Sequence, residues 1–315
     1  MTYGAKSNPV NAFFVVNPRS ADGTTGTHWP RLSRLIEKAG LRGEVRFTEG
    51  PDHATQLVRE ALAVGHRLVV AVGGDGTVNE VINGFFDPMG SAVNAEAELG
   101  LLGRGTGCDF IRSLGIPKRE DLALARIAAG SSRTIDVGCV TYVDGSGAER
   151  IRYFGNIAEA GLGGAVVERV NRSSKRFGGF ATFLMGTLVT LATYESSAIT
   201  LQIDEQEPES LVASNLIVGN GRYFGGGMCI LPTAELEDGY FDVLIMGDLS
   251  RLERFSNIAK VYRGTHLAHR KLRHLRARRV RVESALPLRL DIDGEQPGFT
   301  PATFTIRPAA LRIRC

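Results

Sequence analysis

The chain has 315 residues, and its 37 Lys and Arg against 34 Asp and Glu leave a net charge of only +3. That balance excludes a globally basic nucleic-acid binder, although local charge clusters keep their meaning. With 43% hydrophobic residues, the composition is that of an ordinary globular protein with core enough for two domains. In the first third, strand and helix patterns alternate. "NAFFVVN" reads as a buried strand and "THWPRLSRLIEKAG" as an amphipathic helix ending at Gly40. "GEVRFT" is the next strand, followed by a helix over "DHATQLVREALAVG" with Asp52 as its N-cap and Gly65 as its stop. "RLVVAVGG" is a third strand, "TVNEVINGFF" a helix and "ELGLLGRGT" a fourth strand. Strands interleaved with helices predict parallel βαβ units, hence a layered α/β domain over residues 1–135.

After Ile135 short β-rich runs dominate, among them "TIDVGCVTYV", "RIRYFGNIA", "AITLQID", "SNLIVGN", "YFDVLIM", "RRVRVES", "LRLDIDGE" and "TFTIRP". Turn residues separate them, which predicts a mainly antiparallel β-sandwich over 136–300. The tail, about 301–315, is expected to pack back on the first domain. Helical spacing covers Ala181–Tyr194 and Arg251–Arg263. The longest apolar stretch, Phe180–Ala192, is shorter than the roughly 20 residues a membrane span needs, and "AFFVV" lacks the length and cleavage pattern of a secretion signal. Cys108, Cys139, Cys229 and Cys315 show no CxxC spacing, so neither a disulfide framework nor a zinc site is expected. A reducing, cytoplasmic setting follows.

Asn17, Thr48, Gly73 and Thr106 each end one of the first four strands. Ligands of open parallel sheets bind beyond the carboxyl ends of the strands, so four small or polar residues there predict one shared crevice. Gly73-Gly74-Asp75-Gly76-Thr77 is its sharpest element. It is neither a Walker A loop nor the GxGxxG dinucleotide fingerprint. Glycines let backbone N–H groups face an anion, and the following helix adds its positive end. Asp75 repels phosphate unless a divalent cation lies between them. The plain alternative is a tight Asp-Gly turn. "GRGTGCDF" repeats the logic with Asp109, and "LDIDGEQP" adds Asp291, Asp293 and Glu295, although Asp-Gly is also a common hairpin signal.

Together GGDGTVNE, the GTGxDF element, "NGRYFGGGMCILPTAELEDGYFDV" and the late DGE resemble the diacylglycerol kinase catalytic family, which is related to sphingosine and ceramide kinases. The likeness runs from about Ala12 to Ile313. It implies two domains with ATP and Mg²⁺ in the cleft, phosphorylating a lipid hydroxyl, most simply diacylglycerol or a related glycerolipid. By the resemblance, Asn17, Pro18, Arg19, Ser20, Ala21, Thr48, Gly74, Asp75, Gly76, Thr77, Val78, Asn79, Glu80, Thr106 and Asp109 hold the nucleotide. Glu295 is the general base with Asp293 beside it. Asp75 belongs to the magnesium network, or to the base role that some relatives give this acid. Glu235 and Tyr240, through their carbonyls, and Asp238 hold a second, structural Mg²⁺. Many relatives read PxGTGND where this chain has Gly103, Arg104 and Cys108. Arg104 then adds a phosphate contact or covers the crevice. An NAD kinase-like enzyme and a lipid-binding pseudokinase are the alternatives.

For the lipid, Phe180, Phe183, Leu184, Leu188 and Leu191 read either as a core helix or as a wall of an acyl pocket, with Lys175 and Arg176 just before them. Lys260 to Arg281 holds nine Lys or Arg and no acid. It is a candidate for anionic membrane headgroups or a solvated face, and nucleic acid stands well behind. The partners expected are a lipid substrate, the inner face of a membrane by peripheral contact, and a second copy as a homodimer.

Overall fold

The computed structural model describes residues 9–105, 107–172 and 179–315. Thr106, Lys175 and Arg176 lie outside them, as do the side chains of Phe180 and Phe183. The chain divides into two compact units. Unit 1 comprises Met1–Ile111, Gly115–Thr134 and Leu311–Cys315, and unit 2 comprises Arg112–Leu114 and Ile135–Ala310.

Unit 1 is built on β1 (Val10–Val16), β2 (Leu41–Phe47), β3 (Leu68–Gly73) and β4 (Glu98–Gly103), all parallel in the order β2-β1-β3-β4. Every residue of β3 is buried, as are Ala12–Val16 of β1. Such unbroken apolar runs are what a strand covered on both faces requires. Helices Trp29–Lys38, His53–Ala63, Asp75–Gly84 and Glu120–Ala129 complete the layers. The first of these starts two residues later than the spacing suggested, because Pro30 suits the first turn. The third starts two residues earlier, at Asp75, with Gly74 as its N-cap. Asp52 does stand at the N-cap of its helix, but in a left-handed conformation without a side-chain capping bond. A Glu80 carboxylate oxygen accepts the Ala54 N–H instead, at 3.1 Å.

Unit 2 is antiparallel. Its strands are β5 (Ser132–Val143), β6 (Glu149–Phe154), β7 (Ile157–Gly161), β8 (Ser197–Ile203), β9 (Glu209–Gly219), the short pair β10 (Tyr223–Phe224) and β11 (Met228–Cys229), β12 (Phe241–Gly247), β13 (Leu272–Ala277), β14 (Arg279–Glu283), β15 (Leu290–Ile292) and β16 (Phe299–Arg314). The order runs β13-β12-β9-β8-β14-β16, with β7 between β9 and β15, and β5 paired with β6. Alternation puts Phe154, Leu216, Val218, Phe241 and Phe304 in one core and Ile157, Ile217, Leu231 and Leu244 in another, as a sandwich demands. Phe154 stacks on Phe241 with centroids 5.6 Å apart. That ring fits only because residue 138 is glycine, since a Cβ there would lie 2.2 Å from it. The last residues of β16, Arg312–Arg314, pair parallel with Glu98–Gly100 within unit 1.

Two helices of unit 2 were expected and one was not. Arg251–Arg263 begins with a capping box of Ser250 and Glu253 and stops at left-handed Gly264. Leu162–Arg172 is a helix in a stretch to which the sequence reading assigns no element. Of helix Gly179–Thr193, the side chains from Leu184 onward are described. Gly186 and Thr190 are buried, while Leu184, Met185, Leu188 and Val189 are exposed. No helix among the described residues is long and apolar enough to cross a membrane.

Candidate active site

In unit 1 four strand ends meet at one edge of the parallel sheet. The Asn17 amide donates to the Thr77 hydroxyl at 2.9 Å, and its carbonyl oxygen accepts the Arg19 N–H at 2.9 Å. This ties the turn after β1 to the first turn of helix Asp75–Gly84. Pro18 accepts the Gly26 N–H at 3.1 Å, and the Ser20 hydroxyl lies 2.7 Å from that of Thr25, so the Asn17–Ala21 turn is folded on itself. Thr48 follows β2 and donates its N–H to Val16 at 2.9 Å.

The two glycine turns touch backbone to backbone. A Cβ on Gly105 would lie 2.8 Å from the Gly74 Cα, so only glycine fits there. Asp75 and Asp109 each open a helix, and Asp109 is 5% exposed. Asp75 Oδ1 accepts the Phe110 N–H at 3.3 Å. A Cβ on Gly107 would lie 2.9 Å from Asp75 Oδ2 and 3.2 Å from Asp109 Oδ2. Both carboxylates therefore converge on one glycine in a cradle cleared of side chains. Mg²⁺ is typically held by one or two carboxylates plus phosphate oxygens, and this pair fits that donor set.

Not every residue matched to the motif reaches the cradle. Gly74, Asp75 and Gly76 are half-buried. Thr77, Val78 and Asn79 are buried, and Asn79 bonds Asn83 within its own helix. Glu80 caps helix His53–Ala63 and accepts the Thr55 hydroxyl on its carbonyl. Thr106 lies outside the described residues.

Cys108 is buried in a left-handed conformation, φ 52, a geometry that asparagine tolerates better than most residues. Its thiol donates to the Gly105 carbonyl at 3.4 Å. Burial first, then the charge of Asp75, pushes that thiol up to about 11, so it stays protonated. Arg104 is held by Glu120 at 2.7 Å and by the Thr24 hydroxyl at 3.3 Å. Its charge is met within the protein.

In unit 2 the DGE segment is a two-residue hairpin. Ile292 and Glu295 exchange backbone bonds of 2.8 and 3.1 Å, with Asp293 at φ 50 and Gly294 at φ 92. Positive φ at both positions is the I′ turn for which Asp-Gly is suited. The Asp293 carboxylate turns inward and accepts the N–H groups of Gly155, Asn156 and Ile157 at 3.0, 3.2 and 2.9 Å. Glu295 leaves the turn exposed.

Sequence reasoning missed the residues around Asp293. The Asn156 amide donates to the Tyr223 carbonyl at 2.8 Å, and the Ser113 hydroxyl donates to the Asn156 side chain at 3.2 Å. The Ser113 oxygen in turn accepts the Arg222 N–H at 3.1 Å. Gly155 and Asn156 lie within a run that reads as a β-strand, and Asn220 and Gly221 within the family motif, so neither pair pointed to this turn.

The second metal site fits less well. Asp238 Oδ1 accepts the Tyr240 N–H at 2.9 Å, and Oδ2 pairs with the Arg276 guanidinium, which lies 4.6 Å from the Tyr240 ring centroid. Burial pushes the Asp238 carboxyl up, against the pull of that N–H and of Arg276. The Arg276 guanidinium thus already meets one oxygen of the Asp238 carboxylate. Among the described residues no group of three or more His, Cys, Asp or Glu is arranged to hold a metal ion.

A glycine cradle with converging acids on a parallel sheet, followed by an antiparallel sandwich, is the equipment of a phosphate-handling two-domain enzyme. Comparison with known proteins makes this specific. Residues 11–140 match the diacylglycerol kinase catalytic domain, and residues 156–315 match the YegS C-terminal NAD kinase beta sandwich-like domain. The diacylglycerol kinase of Bacillus subtilis (strain 168) is 28% identical over 294 residues, covering 93% of this chain and 92% of its own. That of Staphylococcus aureus (strain bovine RF122 / ET3-1) is 29% identical over 298 residues, covering 93% and 88%. A crystal structure of a diacylglycerol kinase from Bacillus anthracis str. Sterne superposes with TM-score 0.69 at 20% identity, over 98% of both chains. A candidate diacylglycerol kinase from the same organism gives 0.78 at 24% identity, over 100% and 98%. The chain belongs to the diacylglycerol kinase family. It is a kinase, hence a transferase, and the family implies ATP as its nucleotide.

Proposed function

We propose that the chain transfers the γ-phosphate of ATP, with Mg²⁺, to the hydroxyl of diacylglycerol or a related glycerolipid. The observation that carries this reading is the convergence of Asp75 and Asp109 on Gly107, in a chain of this family. Relatives named diacylglycerol kinase support the substrate class. When bound, Mg²⁺ supplies charge neutralisation for the phosphates. Asp75 and Asp109 would hold it, while Gly74 and Gly76 give phosphate oxygens room beside the helix N-terminus. Phosphoryl transfer asks the protein chiefly for position and charge.

Glu295 is the general base of this reading. It takes the proton of the lipid hydroxyl, and the Asp293 clamp on Gly155–Ile157 holds the turn that presents it. Peripheral contact with an anionic membrane is part of the same proposal, but the basic run carries less of it than its composition suggested. Arg273 pairs with Glu209, Arg276 with Asp238, Arg281 with Glu283 and Lys271 with Glu253. The exposed arc of helix Arg251–Arg263 supports contact better. It carries Leu252, 79% exposed, with Phe255 and Tyr262, flanked by Arg251, Lys260 and Arg263. An apolar stripe edged by cations is how a helix lies in a membrane interface.

Phosphotransfer from labelled ATP to diacylglycerol in mixed micelles, with NAD as a competing acceptor, tests the reading. Labelled phosphatidic acid is expected. Labelled NADP would favour an NAD kinase, and lipid binding without transfer would favour a pseudokinase.

A further inference from the structure

Glu159 in β7 is 1% exposed and Asp291 in β15 is 8% exposed, and the two stand directly opposite each other in the antiparallel register. Opposed residues of such a pair share one face, with Cβ atoms about 4.5–5.5 Å apart. Other buried acids of unit 2 are compensated. Asp136 accepts the Gly239 and Ala309 N–H groups at 2.6 and 2.7 Å, and Asp242 meets the Thr233 hydroxyl and His274 at 2.6 and 2.7 Å.

Neither oxygen of Glu159 has a hydrogen-bond partner within bonding geometry. The Asn215 side chain of β9 pulls it down against the upward push of burial. Space for this carboxyl exists because residue 163 is glycine, whose Cβ would lie 1.4 Å from Glu159 Oε2. The first turn of helix Leu162–Arg172 therefore closes over it.

Asp291 Oδ1 accepts the Gly294 N–H at 2.7 Å, and the charge of Glu159 acts on the Asp291 carboxyl. Two ionised carboxylates in this dry strand pair would repel, and one proton between them removes the conflict. We propose that Glu159 and Asp291 share a single proton, acid to carboxylate, and that this bond positions the Asp293-Gly294 turn that presents Glu295. The pair touches no substrate and acts through the turn, so its kinetic part rests on the lipid-kinase reading.

Burial holds Glu159 up at about 7. It raises Asp291 well above the usual carboxylate range, with further upward pushes from Glu159, Asp293 and Glu295 against the lowering pull of the Gly294 N–H. From the covering helix, Glu168 is paired with Arg289 at 2.7 Å and Arg169 donates to Thr190 at 3.1 Å. The Tyr194 hydroxyl faces Gly161 and is itself raised by burial. Among the described residues no salt bridge to either carboxyl is recorded.

Both folded-state values lie above those of the unfolded chain. The pair's stabilisation is therefore complete below the ordinary carboxylate range and is lost as pH rises through the raised values of the folded pair. Melting of the full chain between about pH 5 and about pH 9 should fall with rising pH, and Glu159→Gln should flatten that fall. Parallel curves for the variant and the parent overturn the shared proton. Should Glu159→Gln fail to fold, infrared spectra of the native chain decide instead. A protonated-carboxyl band that persists above the ordinary carboxylate range and titrates away as pH rises further supports the pair, and its absence at every pH overturns it.

For positioning, Asp291→Leu should lower kcat on the order of 10²-fold with KM for ATP unchanged. Asp291→Asn, which can still accept from Gly294 and donate to Glu159, should keep most of it. Equal kcat losses in both variants, or a change in KM alone, overturn positioning. If the parent phosphorylates no lipid, the kinase reading fails, while the melting and infrared results still decide the proton.

Discussion

The two units place their acids by opposite means. Around Asp75 and Asp109 of unit 1 the neighbours give up side chains, and glycines 74, 105 and 107 let carboxylates and backbone come close together. Around Asp136 and Asp293 of unit 2 the neighbours give up backbone N–H groups, five of them between the two acids. Unit 1 therefore gathers its acids against bare backbone, which the proposed reading gives to phosphate and metal, whereas unit 2 uses its acids to hold its own turns. Changes of charge or volume in unit 1 should be felt in chemistry. In unit 2, loss of a buried acid should be felt in stability, with exposed Glu295, and the Glu159–Asp291 pair acting through its turn, as the exceptions.

Glu295 gives the largest expected effect. Glu295→Gln keeps size and hydrogen bonding but cannot accept a proton, so kcat should fall about 10²- to 10⁴-fold. Affinity for ATP should hold. Steady-state rates at saturating lipid, alongside nucleotide titration of the same preparation, check this. A variant that keeps its kcat would transfer the base role to Asp75.

Asp75→Asn comes next. It removes a charge the metal needs, worth several kcal/mol, and so on the order of 10²- to 10³-fold in rate. The melt should barely move, and a Mg²⁺ titration of the rate is the measurement. Near-parent turnover at ordinary Mg²⁺ would break the contrast between the units.

Asp136→Ala should do the reverse. It strands the Gly239 and Ala309 N–H groups, and hydrogen bonds to a charged group are each worth about 1.5–3 kcal/mol. Urea midpoints of variant and parent report the loss, and an unchanged midpoint would deny the acid its structural role.

Gly105→Ala adds volume where the backbones of two turns meet, for about 1–3 kcal/mol of overpacking. ATP affinity should drop along with stability. Stability lost with ATP binding intact would mean the turns are packed for the fold alone.

The smallest effect concerns the surface. Arg273, Arg276 and Arg278 changed together to Gln should weaken sedimentation with anionic vesicles only slightly, because acids already meet Arg273 and Arg276. Leu252→Ser with Phe255→Ser should weaken it more, and the opposite ranking would restore the strand to the membrane face.

Much of this protein was legible in one dimension. Its strands, its parallel first domain and the glycine turns follow from periods of 2 and 3.6 and from residues that terminate them, all local properties of a chain. The motif Gly74 to Glu80 was legible too, but not its division of labour. In the packed structure Thr77 meets Asn17 of the turn after β1, Asn79 its own helix and Glu80 a neighbouring helix, partners that no local pattern shows. A run of nine cations without an acid reads as a charged face, until strand pairing and turns bring Glu209, Asp238 and Glu253 beside it. Glu159 is one acid among many in the sequence, and only the register of β7 against β15 puts it opposite Asp291. Backbone preference is set by neighbours along the chain, whereas the partner of a charge is set by segments distant in sequence that tertiary structure alone brings together.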